Sequence, residues 1–544
     1  MSHSGKKLNT ERILLFLLLA VLLAYLAVFG IINFCGFEDI CTSDMYEDTL
    51  VAKLMWEQKT LFPKNYLFGN QLYVLATPVL AALFFGITGS LNTGMALATT
   101  VMTLLILLAM DWMLKPFTGN RVIRLAALLA FVIAVFGPNT ITREDGQLFF
   151  VMCSFYACYT ITYFFVLGDY VRSFGDARTR LPALITALVL CFCMGIQSLR
   201  QTCICVLPIL CFELLRIVSS RLREGKFPPL RKRTSLIRAM LYLLSNAAGL
   251  VTAKMIDVTC NTIYEGASVF NGGSVSEKLS AVHDSLSTVS GFEYIRGENG
   301  LFFLIMGLFL TGMVIAAAIM IAAKIKEKPQ PTVCLWLISV IAVLAVILST
   351  FVTSVRLRPI YIFIYYVLPA LSLVIIIPKL SPRLGNLLVS ILIVLAAANI
   401  YFSYSVQINS ALDKNETSDW KEISEYAVSN GYSYIYGSHS HAAPGVAVWS
   451  DGVLIAGCWE DECVFRVSKY INIKDIYHID DYKKALFVFI EDEAALGQIE
   501  ADANGTTLTF IGKFGNFDVY TSSAQLLYPI SDNIYNAYLF PDYN

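Results

Sequence analysis

The sequence predicts a polytopic α-helical membrane protein that ends in a small extracytoplasmic α/β domain. Of its 544 residues, 56% are hydrophobic and 15% are charged, whereas a soluble domain carries about 25% charged residues. Apolar runs recur from residue 13 to about residue 404, each close to the roughly 20 residues that a spanning helix requires. After residue 404 these runs stop and the charge density becomes ordinary. We therefore expect a transmembrane domain over 1–404 and a second domain over 405–544.

The net charge and the first apolar run narrow the class further. The net charge is −1, so no overall basic field indicates a nucleic-acid partner. The run 13–33 follows Lys6, Lys7 and Arg12. It is longer than the apolar core of a signal peptide, and no small-residue cleavage site follows it. We expect it to remain as an anchor with the N-terminus inside.

Basic loops set the predicted number of spans. Eleven runs are predicted to cross the membrane: 13–33, 95–114, 122–137, 147–168, 181–199, 203–219, 237–256, 301–323, 332–350, 360–377 and 384–404. A twelfth run, 71–88, is short and contains Pro78. Lys and Arg concentrate in short cytoplasmic loops, and the basic loops of this chain can all be cytoplasmic only if 71–88 does not cross. We therefore expect a re-entrant or interfacial helix there, on the outer side.

This topology places four chemically suggestive segments on the outer face. Two are acidic: "TSDMYEDTL" (42–50) and "GPNTITREDGQ" (137–147). Two contain arginine: "GIQSLRQTC" (195–203) and "STFVTSVRLRPIY" (349–361). Such a set would suit a lipid substrate that bears a phosphate, because arginine binds phosphate bidentately. A carboxylate can act as a general base or hold a divalent cation.

Each segment also has an ordinary structural interpretation. Acids outside a span usually form a solvated loop, and arginines near helix ends commonly extend to the lipid headgroups. Glu144 and Asp145 would also favour the N-terminus of a following helix. The functional interpretation rests on convergence, since all four segments fall on one side of the membrane in a topology derived from other residues.

The order of these elements resembles the GT-C class of integral-membrane glycosyltransferases, which includes protein O-mannosyltransferases and lipid A aminoarabinose transferases. The chain shares an inside N-terminus, a long outer loop that opens with an acid, an interfacial helix ending in "FFG" and a second short acidic outer loop. "SDMYEDTLVAKLMWEQKTLFP", "MGIQSLRQTCICVLP" and "RLRPIYIFIYYVLPALSLV" resemble stretches of the family. In the first of them the usual Gly is absent, and Gln58-Lys59 stands in its place. The resemblance covers about residues 1–404 in architecture.

The resemblance implies roles for particular side chains. It implies Asp44 as the catalytic base or acceptor-positioning carboxylate. Glu144 or Asp145 would be the second acid, which positions the acceptor or binds a cation. Arg200 and Arg358 would hold the donor phosphate.

Neighbouring side chains complete the set of candidates. Arg356, Tyr46 and Glu47 are expected to bind substrate. Glu47 and Asp48 lie three and four residues beyond Asp44, so in a helix they would share its face.

The resemblance also implies the partners. The donor would be a polyprenyl-phosphate sugar, and the acceptor would be a lipid, a glycan or a protein. Inverting transfer requires a base on one side of the anomeric carbon and a stabilised phosphate leaving group on the other. No cofactor is certain from the sequence, and a divalent cation at the acids is the one candidate. We expect a multi-pass protein of a bacterial plasma membrane.

The C-terminal segment has its own pattern. Helices are predicted at "DWKEISEYAVSNG" and "EDEAALGQIEADANG". Strands are predicted at "YSYIYG", "GVLIAG", "ALFVFIED" and "LTFIGKFGNFDVYTS", the last as a hairpin about Gly515-Asn516. The pairs Cys35 and Cys41, and Cys458 and Cys463, would form local disulfides if they face an oxidising exterior.

Other function classes remain open at the level of sequence. A transporter or flippase of a lipid-linked saccharide would usually carry charged or polar breaks in mid-membrane and internal repeats. A non-catalytic scaffold would explain the C-terminal domain but not the paired acidic and arginine loops. An O-antigen-type polymerase or ligase would use a large outer loop, and the loop 257–300 with His283 and Arg296 fits that alternative.

Overall fold

The chain forms two compact units. The computed structural model describes residues 2–35, 43–64, 66, 68, 71–137, 148–150, 153–174, 181–224, 234–256, 274–293, 299–324, 330–353, 355–412, 418–438, 443–460, 463–467, 482–490 and 493–524. The helical unit comprises Met1–Ile31, Thr99–Ile256 and Gly266–Asn409. The sheet unit comprises the described residues of Ile32–Ala98 and Ser410–Asn544. The first long loop therefore belongs to the same unit as the C-terminal region. The sequence prediction placed that loop with the transmembrane domain, because it divided the chain only at residue 404.

Seventeen α-helices lie in the described ranges. They are α1 (Ser2–Cys35), α2 (Ser43–Gln58), α3 (Thr77–Thr88), α4 (Leu91–Leu114), α5 (Arg121–Phe136), α6 (Cys153–Arg172), α7 (Leu181–Gln197), α8 (Leu207–Glu224), α9 (Thr234–Met255), α10 (Val275–Ser290), α11 (Gly300–Ala323), α12 (Pro331–Val352), α13 (Val367–Ile376), α14 (Pro382–Leu412), α15 (Asp419–Ser429), α16 (Ala443–Trp449) and α17 (Glu493–Ala503). A π-helix, Thr202–Val206, precedes α8, and a 3₁₀-helix, Pro359–Tyr366, precedes α13. Lipid offers no hydrogen-bond partners to the backbone, so the apolar runs must satisfy their amides internally as helices.

Eight helical segments of the described chain are long and apolar enough to cross a membrane. They are Thr10–Cys35, Leu91–Leu114, Thr202–Arg221, Thr234–Met255, Gly300–Ala323, Pro331–Val352, Pro359–Lys379 and Pro382–Ser405. They coincide with eight of the eleven predicted spans. The other three predicted spans correspond to α5, α6 and α7, which are 16, 20 and 17 residues long. The chain is a multi-pass membrane protein.

Helix α3 is too short to span. Its 12 residues extend about 18 Å at roughly 1.5 Å per residue, and a bilayer core is about 30 Å thick. Pro78 lies in its first turn, and Gly89 ends it in the left-handed conformation with φ of 73°. This agrees with the expectation that 71–88 does not cross.

Helices α7 and α9 approach each other closely through small residues. A Cβ added to Gly195 would lie 2.2 Å from the carbonyl oxygen of Asn246, and one added to Gly249 would lie 2.1 Å from that of Phe192. Small residues allow this approach, which helices in lipid use because water-driven association is absent. Asn246 is fully buried and strengthens the crossing, since its side-chain amide donates to the Cys191 carbonyl at 3.1 Å.

The helical unit also buries charged side chains that the sequence interpretation did not single out. Asp169 of α6 pairs with Arg238 of α9 and accepts the hydroxyl of Tyr242 at 2.6 Å. Glu213 of α8 accepts the hydroxyl of Tyr170 at 2.5 Å and pairs with Arg216 at 2.8 Å. Buried charges are tolerated when they are paired and hydrogen-bonded, so these contacts join α6, α8 and α9.

A six-stranded sheet forms the core of the C-terminal region. Its strands are β1 (Tyr434–Ser438), β2 (Ile455–Glu460), β3 (Cys463–Val467), β4 (Ala485–Ile490), β5 (Leu508–Phe514) and β6 (Phe517–Ser522), in the order β3-β2-β1-β4-β6-β5. Strand β1 pairs in parallel with β2 and β4, and the remaining pairs are antiparallel. The near-continuous burial of β1 and β4 matches their central positions.

The predicted elements of this region are largely present. Four predicted strand segments overlap β1, β2, β4 and the β5–β6 hairpin, whose turn includes Gly515 at φ of 54°. The two predicted helices are α15 and α17. Strand β3 was not predicted. In the backbone register of β2 and β3, Cys463 lies opposite Glu460. Cys41 lies outside the described residues, and both disulfides stay predictions.

The α7–α9 crossing generates the first testable prediction. Gly249→Ala places a methyl group against a backbone carbonyl, so we expect a loss of about 1–3 kcal/mol from overpacking and a lower unfolding temperature in detergent. Gly312→Ala is the matched control, because a Cβ at Gly312 meets nothing within 4 Å. Equal unfolding temperatures for the two variants would contradict the close crossing.

Candidate functional site

Three of the predicted acids cannot be located at the level of side chains. Asp44 lies in the first turn of α2, and its backbone is helical, but its side chain lies outside the described structure. Glu144 and Asp145 also fall outside the described residues. Their roles stay predictions from the sequence.

The guanidinium of Arg200 lies among tyrosine rings in the helical unit. Its Cζ is 4.7 Å from the ring centre of Tyr156 and 5.7 Å from that of Tyr159, both on α6. Tyr361, in the 3₁₀-helix before α13, also acts on its charge. The face of a tyrosine ring attracts a cation, so the rings hold the guanidinium without neutralising it.

The backbone around Arg200 is held from several sides. The Ser198 hydroxyl accepts the Arg200 amide at 3.1 Å and is hydrogen-bonded to the Tyr159 hydroxyl at 2.6 Å. The π-helix begins two residues later, and its Thr202 hydroxyl donates to the Asn246 side chain at 2.5 Å. Single π-turns inside helices frequently occur at functional sites. The α7–α9 crossing therefore fixes the segment that carries Arg200.

The charge on Arg200 is not countered by an acid in the described structure. Burial lowers the pKa of its guanidinium, whereas Tyr156, Tyr159, Tyr361 and Cys158 raise it, and the net result is a pKa above the ordinary value. The side chain is half-buried. A charged, partly desolvated guanidinium in this state can bind an anion bidentately.

Next to Arg200 lies a buried amide with unused hydrogen-bonding capacity. Gln201 is fully buried. Apart from an interaction with the Cys205 thiol, neither its amide nitrogen nor its amide oxygen has a partner among the described residues. Sequence reasoning missed Gln201 and the tyrosines, because nothing in their local pattern separates them from ordinary helix residues.

The two predicted arginine segments meet at this point. Arg358 immediately precedes the 3₁₀-helix that carries Tyr361, and its carbonyl accepts the Tyr361 amide at 3.0 Å. Arg358 is half-buried, and Arg356 is exposed. The structure thus brings the segment 349–361 to the Arg200 tyrosines through Tyr361.

Helix α2 of the sheet unit carries the other candidates. Tyr46 is buried, with its ring 5.3 Å from the Trp420 ring in an edge-to-face arrangement. Glu47 is half-buried. Asp48 is 1% exposed and accepts the Tyr73 hydroxyl at 2.5 Å. Tyr46 and Asp48 therefore pack inside the unit.

Two further predictions concern metal binding and the alternative enzyme class. No group of three or more His, Cys, Asp or Glu side chains in the described part of the chain could hold a metal ion. His283 on α10 is 83% exposed and lies 3.2 Å from Asp284. Arg296 lies outside the described residues.

Comparison with known proteins identifies the fold. No protein-family model matches the chain, and neither does any curated protein sequence. The crystal structure of ArnT from Cupriavidus metallidurans bound to undecaprenyl phosphate matches with a TM-score of 0.58 at 12% identity, over 94% of this chain and 99% of that chain. The same protein in the apo state gives a TM-score of 0.55 at 12% identity, with the same coverage. ArnT is a GT-C aminoarabinose transferase.

This chain has an ArnT-like fold. The match extends over nearly the whole length of both chains, so the likeness includes the C-terminal region. It confirms the predicted fold class, a polytopic helical protein with a small α/β region at the C-terminus.

The Asp48–Tyr73 contact generates the second prediction. Tyr73→Phe removes the hydroxyl that donates to a buried carboxyl group, so we expect a loss of about 1–3 kcal/mol, measured as a lower unfolding temperature. Tyr401→Phe is the control, since Tyr401 is 68% exposed. If Tyr73→Phe unfolds at the wild-type temperature, the contact does not support α2.

Proposed function

We propose that the protein is a glycosyltransferase that moves a sugar from a polyprenyl-phosphate donor to an acceptor at the outer face of the membrane. The observation that carries this proposal is the Arg200 guanidinium, which is charged, half-buried and surrounded by tyrosine rings, and which forms no ion pair with a carboxylate among the described residues. A donor phosphate would supply the missing negative charge. The ArnT-like fold supports this proposal, because ArnT was solved with undecaprenyl phosphate bound.

The chemistry requires a base and a stabilised leaving group. In the proposed reaction an acceptor hydroxyl or amine gives its proton to Asp44 and attacks the anomeric carbon. The bond between that carbon and the phosphate oxygen breaks, and the polyprenyl phosphate leaves with the electron pair. Positive groups at the developing phosphate charge lower the barrier, and Arg200 and Arg358 are assigned to that task. The configuration at the anomeric carbon inverts.

The remaining parts of the proposal concern the second acid and the orientation. Glu144 or Asp145 would position the acceptor or bind a divalent cation. A chelator would lower the transfer rate only if a cation is bound, so its effect would distinguish the two roles. The acceptor would be a lipid, a glycan or a protein. The C-terminal domain would lie outside a bacterial plasma membrane.

A reconstituted assay tests the base. Asp44→Asn keeps the size of the side chain but removes the proton acceptor, so we expect the transfer rate to fall by about 10²–10⁴. The measurement is transfer from labelled polyprenyl-phosphate hexose to a lipid and glycan extract in proteoliposomes. Asp502→Asn, an exposed substitution on α17, should retain the wild-type rate. If neither the wild type nor Asp44→Asn transfers label while the donor crosses the bilayer in both, the protein is a flippase instead.

Binding of the lipid alone tests the arginine. Arg200→Lys keeps the charge but loses the bidentate geometry, so we expect the Kd for polyprenyl phosphate to rise about 10-fold or more, since a hydrogen bond to a charged group contributes roughly 1.5–3 kcal/mol. Arg383→Lys, at an exposed arginine, is the control. An unchanged Kd for polyprenyl phosphate in Arg200→Lys would show that Arg200 does not bind the phosphate.

A further inference from the structure

Helix α2, which carries the proposed base, is held by contacts with the C-terminal domain within the sheet unit. The first contact is aromatic. The ring centres of Trp420 on α15 and Tyr46 lie 5.3 Å apart in an edge-to-face arrangement, and the Phe517 ring of β6 lies 6.4 Å from Trp420. A Cβ added to Gly445 of α16 would lie 2.9 Å from the Trp420 ring, so α16 fits closely against the indole. Trp420 therefore connects the first turn of α2 to the sheet.

A second contact lies at the turn Asp451-Gly452, between α16 and β2. Lys53 of α2 donates from its ammonium to the Gly452 carbonyl at 2.8 Å. Both turn residues adopt the left-handed conformation, with φ of 51° and 70°, which glycine favours. A Cβ at Gly452 would also lie 2.5 Å from the Lys53 stem. The turn thus holds α2 about two turns of helix beyond Tyr46.

The same turn fixes the start of α4. The Asp451 carboxylate accepts the backbone amide of Leu91, the first residue of α4, at 2.7 Å. Carboxylates stabilise helix N-termini by accepting free amides and by complementing the helix dipole. Burial raises the pKa of Asp451, although its bond to Leu91 lowers it. One turn of the C-terminal domain therefore holds both α2 and α4.

Helix α3 restrains α2 further along its length. A Cβ added to Gly86 would lie 2.3 Å from the Trp56 ring, so α3 leaves the indole no room to move. The contacts at Tyr46, Lys53 and Trp56 are spread over eleven residues of α2. A helix held at both ends cannot turn about its axis, and the direction of the Asp44 side chain depends on that rotation.

We propose that Trp420 and Asp451 are positioning residues for the transfer reaction, and that the C-terminal domain holds the acidic helix α2 in its reactive orientation. This inference rests on the proposed function, with Asp44 as the base. Neither residue needs to touch the substrate. Each acts through α2: Trp420 through Tyr46, and Asp451 through the turn that binds Lys53. A displacement of about 1 Å can reduce a rate by roughly 10²-fold, so loss of either contact should slow the chemical step.

Steady-state kinetics in proteoliposomes test the proposal. We expect Trp420→Ala to lower kcat by about 10-fold or more and to leave the KM for polyprenyl-phosphate hexose unchanged. Trp420→Phe, which keeps an aromatic ring against Tyr46, should recover most of kcat. Phe510→Ala is the control, because Phe510 belongs to the same domain and is 53% exposed. A wild-type kcat in Trp420→Ala would overturn the proposal, and so would a loss of kcat that the Phe variant does not relieve.

A second variant and a second measurement cover poor folding of Trp420→Ala. Lys53→Met keeps the stem against Gly452 but removes the hydrogen bond to its carbonyl, and we expect a smaller fall in kcat at constant KM. Hydrogen exchange provides a readout without activity. The amides of α2 should exchange faster in Trp420→Ala and in Lys53→Met, while those of β1 and β4 stay protected.

The outcomes separate this inference from the proposed function. If the wild type does not transfer sugar, the proposed function fails whatever the exchange data show. If the wild type transfers sugar and α2 exchanges at the wild-type rate in both variants, the C-terminal domain does not hold α2 and the positioning role is wrong.

Discussion

The cation–π placement of Arg200 is the interaction on which the candidate site depends. A guanidinium loses hydration when it is partly buried, and the faces of Tyr156 and Tyr159 recover part of that loss. Because the rings are neutral, the positive charge remains available to an anion. The geometry survives only if α6, the Arg200 segment and the 3₁₀-helix keep their positions. The Ser198 hydrogen bond holds the Arg200 segment to α6, and the Asn246 hydrogen bond and the Gly195–Gly249 crossing hold it to α9.

The buried charges of the helical unit fall into two kinds. Asp169 with Arg238, and Glu213 with Arg216, are acid–arginine pairs supported by tyrosine hydroxyls. Their hydrogen-bonding capacity is used within the protein, so they join helices. Among the described residues, no ion pair joins Arg200 to a carboxylate. The arginines of the two pairs have an acidic partner and Arg200 has none, so ligand binding is favoured at Arg200 rather than at the pairs.

The sequence predicted what depends on composition and local pattern. Apolar length located eight spans, and turn residues located the β5–β6 hairpin. The basic loops predicted that 71–88 does not cross, in agreement with its 12-residue helix. Arg200 was predicted as a substrate-binding residue because a charged residue between two apolar runs can be recognised from the local sequence. Tyr156, Gln201, Asn246 and the Asp169–Arg238 pair were missed, because their importance comes from contacts between distant segments. Those contacts have no periodicity, so one sequence does not display them.

In the sheet unit, the contacts that a single sequence does not display join segments that are very far apart in the chain. Lys53 and Gly452 are 399 positions apart, and Leu91 and Asp451 are 360 apart. Chains fold from the N-terminus during synthesis, so α2 exists long before the turn that holds it. The entropy cost of closing such long loops grows only with the logarithm of loop length. A few directed contacts can therefore offset it once the C-terminal domain has folded. Helix α2 therefore acquires its final support last.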